Sequence, residues 1–194
     1  MDIVANQEQF LDDITLFKQD LINIVKQTNI EKYREEFKGR YSQERFKEFF
    51  NEKAALHIVF KYFLIRMVEE SMGRVKEKLN KQGLTKWHEI SKNYRKDYDL
   101  LYEIAVNDVK REKDLGAIFE ETIYDREVFS SNGRNILTKY IPKLAKYDFS
   151  TLDESTTLTV IDKLYNVDKR KDLSGFFLPS PIIKFLLSQV GLEE

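Results

Sequence analysis

The sequence predicts an all-α protein, an irregular multi-helix bundle built around a long central helix. Among 194 residues there are only 7 Gly and 3 Pro, so few positions stop a helix once it has begun. Charged residues make up 34% of the chain, and apolar residues recur among them at helical three- and four-residue steps. This composition disfavours a β-sandwich or a β-barrel.

The first predicted helix runs from residue 6 to residue 27, with one apolar and one charged face. Its apolar residues follow the helical repeat, and they are Phe10, Ile14, Phe17, Leu21, Ile24 and Val25. A second, short helix is predicted to begin at Thr28 or Asn29 and to end near Gly39.

The segment that begins at Ser42 is predicted to form the central helix of the core. Its apolar residues cover so wide an arc that much of its circumference must be buried; they include Phe46, Phe49, Phe50, Leu56, Val59, Phe60, Phe63, Leu64, Met67 and Val68. We expect this helix to extend as far as Asn80, with a bend or interruption at Gly73, and Gln82-Gly83 to end it.

Later segments predict shorter helices. Trp87 and Ile90 mark one of them, and apolar residues between 98 and 109 and between 115 and 128 mark two more. A loop is predicted at 130–133, followed by a helix over 136–146. The β-branched run 156–161 fits either a short strand near the C-terminus or a helix, and periodicity does not decide between them.

The sequence divides into a helical domain, residues 1–150, and a segment over residues 151–194. In the second part, Ser180 and Pro181 are placed as the N-cap and first residue of an apolar helix from Ile182 to Val190.

Several kinds of functional site are not expected. The chain has no Cys, and His57 and His88 lie in separate segments without metal-ligand spacing, so we expect no metal. No hydrolase, Walker or dinucleotide motif occurs, so no catalytic residue and no cofactor of the chain's own is predicted. Without a leader or a long apolar span, the expected location is cytoplasmic, with no membrane partner.

Charged residues inside the predicted helices are given structural interpretations. The carboxylate pairs at 12–13, 69–70 and 120–121 are typical of solvated helix faces. His57 lies in an apolar helical stretch, where a hydrogen-bonded structural histidine is more common than a catalytic one.

A basic cluster between Gly73 and Lys96 is the one strong departure from a balanced charge. It contains eight basic and two acidic residues, whereas the whole chain has a net charge of −1. Such a cluster could follow a phosphate backbone, with Trp87 and Tyr94 near enough to stack or pack. The candidate DNA-binding residues are Lys76, Lys78, Lys81, Lys86 and Lys92. The alternative is a solvated helix-loop-helix surface whose aromatic residues point inward.

The C-terminal segment carries an ordered set of motifs. Asp148-Phe149-Ser150 is followed by the acidic pair Asp153-Glu154 and an apolar helix from Leu158 to Tyr165. The basic run Lys169-Arg170-Lys171 comes next. It is followed by Leu173-Ser174-Gly175-Phe176-Phe177-Leu178-Pro179-Ser180-Pro181-Ile182-Ile183.

This order resembles the junction between the helical N-terminal domain and the catalytic domain of adenine-N6 DNA methyltransferases from restriction-modification systems, both type I modification subunits and fused type IIG enzymes. Those families carry a basic run, a Leu-Gly-x-Phe-Tyr-Thr-Pro motif, and a helix that starts with a Pro-Ile or Pro-Val pair. The resemblance covers roughly residues 147 to 190, and the preceding residues match in helical class alone.

The resemblance implies that Phe176, Phe177 and Pro179 would line the pocket for the methionine end of S-adenosylmethionine in the parent enzyme. Phe177 and Leu178 stand where the family has Tyr and Thr, so two hydroxyls that could bind a polar ligand are absent. The glycine-rich cofactor loop and the Asn-Pro-Pro-Tyr type motif of these enzymes do not occur. We therefore expect this chain to be inactive alone.

The leading hypothesis is therefore the N-terminal helical domain of an adenine-specific DNA methyltransferase or restriction-modification enzyme. In that role it would dock on the methyltransferase catalytic domain, help to clamp double-stranded DNA and contact a specificity subunit. The principal alternative is a freestanding helical interaction or scaffold protein. A third option is a small DNA-binding protein that acts through the basic cluster.

Overall fold

A computed structural model describes residues 1–37, 41–91, 97–130 and 133–165. These residues form seven α-helices and no β-strand, so the predicted all-α multi-helix bundle is confirmed. The helices are α1 (Gln7–Val25), α2 (Gln43–Glu70), α3 (Lys81–Ser91), α4 (Tyr98–Lys110), α5 (Ile123–Ser130), α6 (Gly133–Leu144) and α7 (Glu154–Leu164). Short 3-10 helices lie at Ile30–Phe37, Gly116–Phe119 and Phe149–Thr151.

Helix α2 is the central helix, as its apolar arc predicts. Twenty of its 28 residues are buried, which is possible because α1, α4 and α5 pack around it. Ser42 caps its first turn by accepting a hydrogen bond from the Arg45 N–H at 3.4 Å. Helix α6 packs against α1, α4 and α5, and its buried apolar side chains belong to the same core.

The predicted extension of α2 to Asn80 is wrong. The helix ends at Glu70, and Gly73 then adopts a φ of +59°, a left-handed conformation that favours glycine. Gln82 and Gly83 do not end a helix either, because they lie in the first turn of α3. Asn80 Oδ1 accepts a hydrogen bond from the Gly83 N–H at 2.8 Å, and a Cβ at Gly83 would collide with the backbone of Lys78.

The run 156–161 is helical, so the strand interpretation of this segment is wrong. Asp153 starts α7 by accepting a hydrogen bond from the Thr156 N–H at 2.7 Å. Thr156, Val160 and Leu164 are buried and lie four residues apart, on one helical face. The cap and the buried face together outweigh the β-branched composition.

Residues 148–165 pack against the preceding helices. Lys18 Nζ donates to the carbonyl oxygen of Leu164 at 2.6 Å, and the ring of Tyr165 stacks on Phe60 at a centroid distance of 5.6 Å. The first part of the 151–194 segment therefore belongs to the same packed core as α1 and α2. In the part of the chain that the structure describes, no helix combines the length and apolar character needed to cross a membrane.

Arg66 is the largest fully buried side chain and joins three parts of the fold. Its Nη1 donates to the carbonyl oxygen of Leu144 at 3.1 Å, and its Nη2 donates to that of Tyr147 at 2.6 Å. Its Nε donates to Glu70 Oε1 at 2.5 Å, and the guanidinium lies 4.3 Å from the centre of the Phe149 ring. Glu70 is the last residue of α2, Leu144 is the last residue of α6, and Tyr147 lies just beyond α6.

We expect Arg66→Met to destabilise the protein by about 3–5 kcal/mol, because the change leaves the buried Glu70 charge and two carbonyl groups without their donor. The measurement is the free energy of unfolding by chemical denaturation. Arg111→Met is the matched control, since the Arg111 side chain is 80% exposed, and it should stay within about 0.5 kcal/mol of the wild type. An Arg66→Met protein as stable as the control would contradict the role assigned to this side chain.

Candidate functional site

The basic cluster folds into the connection between α2 and α3 and into α3 itself. Lys76 and Lys78 lie in the connection, Lys81 is the first residue of α3, and Lys86 lies further along that helix. Lys76, Lys81 and Lys86 are exposed. Lys92 lies outside the described residues. The fold therefore places four of the five predicted DNA-binding residues, Lys76, Lys78, Lys81 and Lys86, in the connection before α3 and in α3 itself.

A groove of about 860 Å³ lies between the 71–80 connection, α3 and α4; we call it the lysine groove. Lys76, Lys78 and Lys86 lie along it, whereas Lys81 does not. The groove also has two acidic residues, Glu69 and Glu77, and an apolar part formed by Val75, Trp87, Ile90, Leu101 and Ile104. Ile90 is 78% exposed, so this apolar lining reaches the solvent.

Ion pairing divides the basic residues of the cluster into two kinds. Lys78 Nζ lies 2.6 Å from Asp108 Oδ2 and also donates to the carbonyl oxygen of Lys76 at 2.8 Å, so its charge is neutralised within the fold. Arg74 pairs with Asp114 at 3.3 Å. Among the described residues, Lys76, Lys81 and Lys86 form no ion pair, although Glu77 follows Lys76 in the chain and lines the same groove. These three lysines therefore provide the positive charge that can meet an anion.

Glu69 lies at the buried side of the lysine groove. It is 2% exposed, and its Oε2 accepts a hydrogen bond from the Leu79 N–H at 3.1 Å. Burial raises the pKa of the Glu69 carboxyl to about 7, although the hydrogen bond from Leu79 opposes the shift. Within the described ranges, Glu69 Oε1 and the indole Nε1 of Trp87 are buried without a hydrogen-bond partner. The lining of the groove therefore includes a buried carboxyl oxygen and a buried indole N–H that the fold leaves unsatisfied.

The interpretation of the carboxylate pairs as solvated faces is wrong for the pair 69–70 and for Asp13, whereas Asp12 and the pair 120–121 are exposed. Glu69 and the side chain of Glu70 are buried, and so is Asp13. Glu70 binds Arg66, and Asp13 accepts a hydrogen bond from the Tyr147 hydroxyl at 2.8 Å. The sequence signal for Glu69 was its place in the last turn of an otherwise buried helix, just before Gly73.

His57 is the hydrogen-bonded structural histidine that its sequence context predicts. Its Nε2 lies 2.9 Å from Asp125 Oδ2, and Lys61 Nζ donates to the same carboxylate at 2.9 Å. Thr122 donates to it from both its N–H and its hydroxyl, at 2.8 Å. Burial would raise the pKa of Asp125, but the bond to His57 and the charge of Lys61 outweigh it and lower the pKa. A carboxylate so fully bonded favours a structural role over general-base chemistry.

The start of the junction-like segment is fixed to the end of α2. The Phe149 N–H donates to Glu70 Oε2 at 2.9 Å, and the Ser71 hydroxyl donates to the carbonyl oxygen of Phe149 at 2.9 Å. The Asp148 N–H donates to the carbonyl oxygen of Met1 at 2.8 Å. The predicted cofactor-pocket residues Phe176, Phe177 and Pro179 lie outside the described residues. In the described part, no group of three His, Cys, Asp or Glu side chains could hold a metal ion.

Glu69→Gln should remove a pH dependence of stability. A carboxyl whose pKa rises from 4.5 to about 7 on folding stabilises the fold in acid, and this contribution is lost as the pH rises through 7. The variant should therefore match the wild type near pH 4.5 and exceed its free energy of unfolding by roughly 3 kcal/mol at pH 8.

Chemical denaturation of both proteins at the two pH values measures this difference. Glu89→Gln, at an exposed position of α3, is the matched control and should follow the wild type at both. If Glu69→Gln gains no stability relative to the wild type on going to pH 8, the carboxyl is ionised in the folded protein and the assignment is incorrect.

Comparison with known proteins identifies no relative of this chain. No protein-family model matches it, and neither a curated protein nor a solved structure matches it.

Proposed function

We propose that this chain is the non-catalytic helical domain of an adenine-specific DNA methyltransferase of a restriction-modification system. In this role it docks on the catalytic domain, contacts double-stranded DNA and meets a specificity subunit, in the cytoplasm. S-adenosylmethionine is then a cofactor of the parent enzyme rather than of this domain. The alternative, a freestanding helical scaffold, shares the docking role and lacks the methyltransferase.

The order of motifs in the C-terminal segment carries this proposal. Asp148-Phe149-Ser150, the apolar helix after it, the basic run 169–171 and the sequence motif 173–181 occur in the order that resembles the methyltransferase junction. A capped helix would explain the Ser180-Pro181 pair alone, but it would not explain the motifs that precede it.

Packing of residues 148–165 supports a role in positioning a neighbouring domain. The backbone at Phe149 is bonded to Glu70 and Ser71, and α7 is bonded through Leu164 to Lys18 of α1. Lys18 also forms a buried ion pair with Glu52 of α2. A chain that leaves α7 therefore starts from a point fixed by two long helices, which suits a docking platform.

A DNA-contact role is supported by the unpaired lysines. Phosphate contacts by Lys and Arg supply most of the non-specific affinity of DNA-binding proteins and make it dependent on salt. Lys76, Lys81 and Lys86 meet this requirement, whereas Lys78 is already neutralised by Asp108.

Replacing Lys76, Lys81 and Lys86 together by Gln should weaken the binding of double-stranded DNA and flatten its salt dependence. Each lost phosphate contact lowers the slope of log K against log salt by about 0.9, so the triple variant should lose about 2 to 3 units of slope. Fluorescence anisotropy of a labelled duplex over a series of salt concentrations measures both quantities.

Lys26 and Lys163 provide the control, because they are exposed lysines just after α1 and in α7, away from the cluster. Changing them to Gln should leave the slope near that of the wild type. Equal slopes for the triple variant and this control would refute the DNA-contact role.

The chain itself should transfer no methyl group from labelled S-adenosylmethionine to DNA, because it contains no motif for the flipped adenine. Incorporation of label above a protein-free control would overturn the non-catalytic assignment.

The coding sequence downstream of Glu194 separates the proposal from the scaffold alternative: an in-frame Asp-Pro-x-x-Gly-Ser-Gly-like loop supports the methyltransferase, and a stop codon supports the scaffold.

A further inference from the structure

The lysine groove has three properties that an occupant must match. Its exposed lysines, Lys76 and Lys86, favour an anion and outnumber the one partly exposed carboxylate of the lining, Glu77. Its apolar lining, which includes Val75 and the exposed Ile90, favours a partner with a flat or hydrocarbon surface. A volume of about 860 Å³ is large enough for a ligand of considerable size.

Two buried polar atoms add a requirement for hydrogen bonds. Glu69 Oε1 and Trp87 Nε1 belong to side chains that line the groove, and neither has a partner within the described ranges. A buried polar atom without a partner costs roughly 1–3 kcal/mol, so an occupant that supplies one is favoured. The occupant should therefore carry an acceptor for the indole N–H of Trp87 and a second polar group for the Glu69 carboxyl.

Simple classes of ligand fail one of these requirements. A hydrocarbon chain would cover the apolar lining and leave both polar atoms unsatisfied. Duplex DNA presents phosphates, but its bases are stacked and paired, so the lining near Ile90 and Trp87 would stay in water. An unstacked nucleotide has a phosphate, a flat base and a base edge with hydrogen-bond donors and acceptors. It therefore meets the requirements for charge, for an apolar contact surface and for hydrogen bonds.

We infer that the lysine groove is a binding site for single-stranded nucleic acid, with phosphates at Lys76 and Lys86 and unstacked bases against Trp87 and Ile90. This inference rests on the proposed function, because it specifies which form of DNA the basic cluster binds. It adds that an unpaired stretch, rather than the intact duplex, is the preferred ligand of this surface.

Trp87 is the single tryptophan of the chain, so its fluorescence reports directly on the groove. Titration with an oligothymidylate of about a dozen nucleotides should quench this fluorescence, since bases stack on aromatic side chains. Binding should be at least about tenfold tighter than that of a mixed-sequence duplex of the same length, at the same salt concentration. An acidic peptide that contains leucine serves as the third ligand.

Ile90→Glu tests the apolar lining without opening the core, because Ile90 is 78% exposed. It should weaken the binding of oligothymidylate by roughly fivefold or more. Leu158→Glu is the matched control, since Leu158 is a 55% exposed residue of α7, and it should bind like the wild type. Circular dichroism confirms that both variants are folded, and anisotropy of a labelled oligothymidylate measures their affinity.

The outcomes separate this inference from the proposed function. Equal affinity for the single strand and the duplex, or equal effects of the two variants, overturns the inference and leaves duplex contact in place. Trp87 quenching by the acidic peptide, without binding of any nucleic acid, overturns the inference and the DNA-contact role, in favour of a protein partner at the groove. Tight, Ile90-dependent binding of the single strand supports the inference.

Discussion

Burial of the Arg66 charge is the constraint on which the rest of this fold depends. A guanidinium in the core is tolerated only when its donors are bonded, and here they reach Tyr62, Glu70 and the carbonyl groups of Leu144 and Tyr147. Those two carbonyls lie where α6 ends, so Arg66 supplies the partners that a helix C-terminus lacks within itself. The central helix therefore determines where α6 stops and where the chain turns toward Phe149.

Three consecutive residues at the end of α2 connect the two candidate sites. Glu69 bonds the backbone of Leu79 in the connection that carries the cluster lysines, whereas Glu70 and Ser71 bond the backbone of Phe149 at the start of the junction-like segment. The end of α2 thus fixes the groove on one side and the junction on the other. A displacement of this helix end would alter both the groove and the start of the junction-like segment, because Glu69 and Glu70 are adjacent residues of one helix.

The sequence predicts the parts of this structure that depend on local periodicity and fails where distant partners decide. The wide apolar arc of the central helix is visible in the sequence, and so is the basic cluster, because both are properties of neighbouring residues. The burial of Glu70 is not visible, since its stabilising partner Arg66 is itself fixed by carbonyl groups more than seventy residues away. Likewise, nothing near Lys78 in the sequence indicates that Asp108 neutralises it.

Ion pairs neutralise the basic residues on α6 and just after it, whereas Lys76 and Lys86 at the lysine groove form no ion pair among the described residues. Lys143 and Lys146 both pair with Asp13, Lys139 pairs with Asp20, and Arg134 lies between Asp99 and Glu103. These pairs satisfy basic residues on α6 and just after it, so that side of the molecule offers little net attraction to a polyanion. The whole chain has a net charge of −1, so an anion is attracted by the local arrangement of basic residues rather than by the total charge. At the lysine groove this arrangement consists of Lys76 and Lys86 beside an apolar lining, which suits an anion that also has an apolar surface.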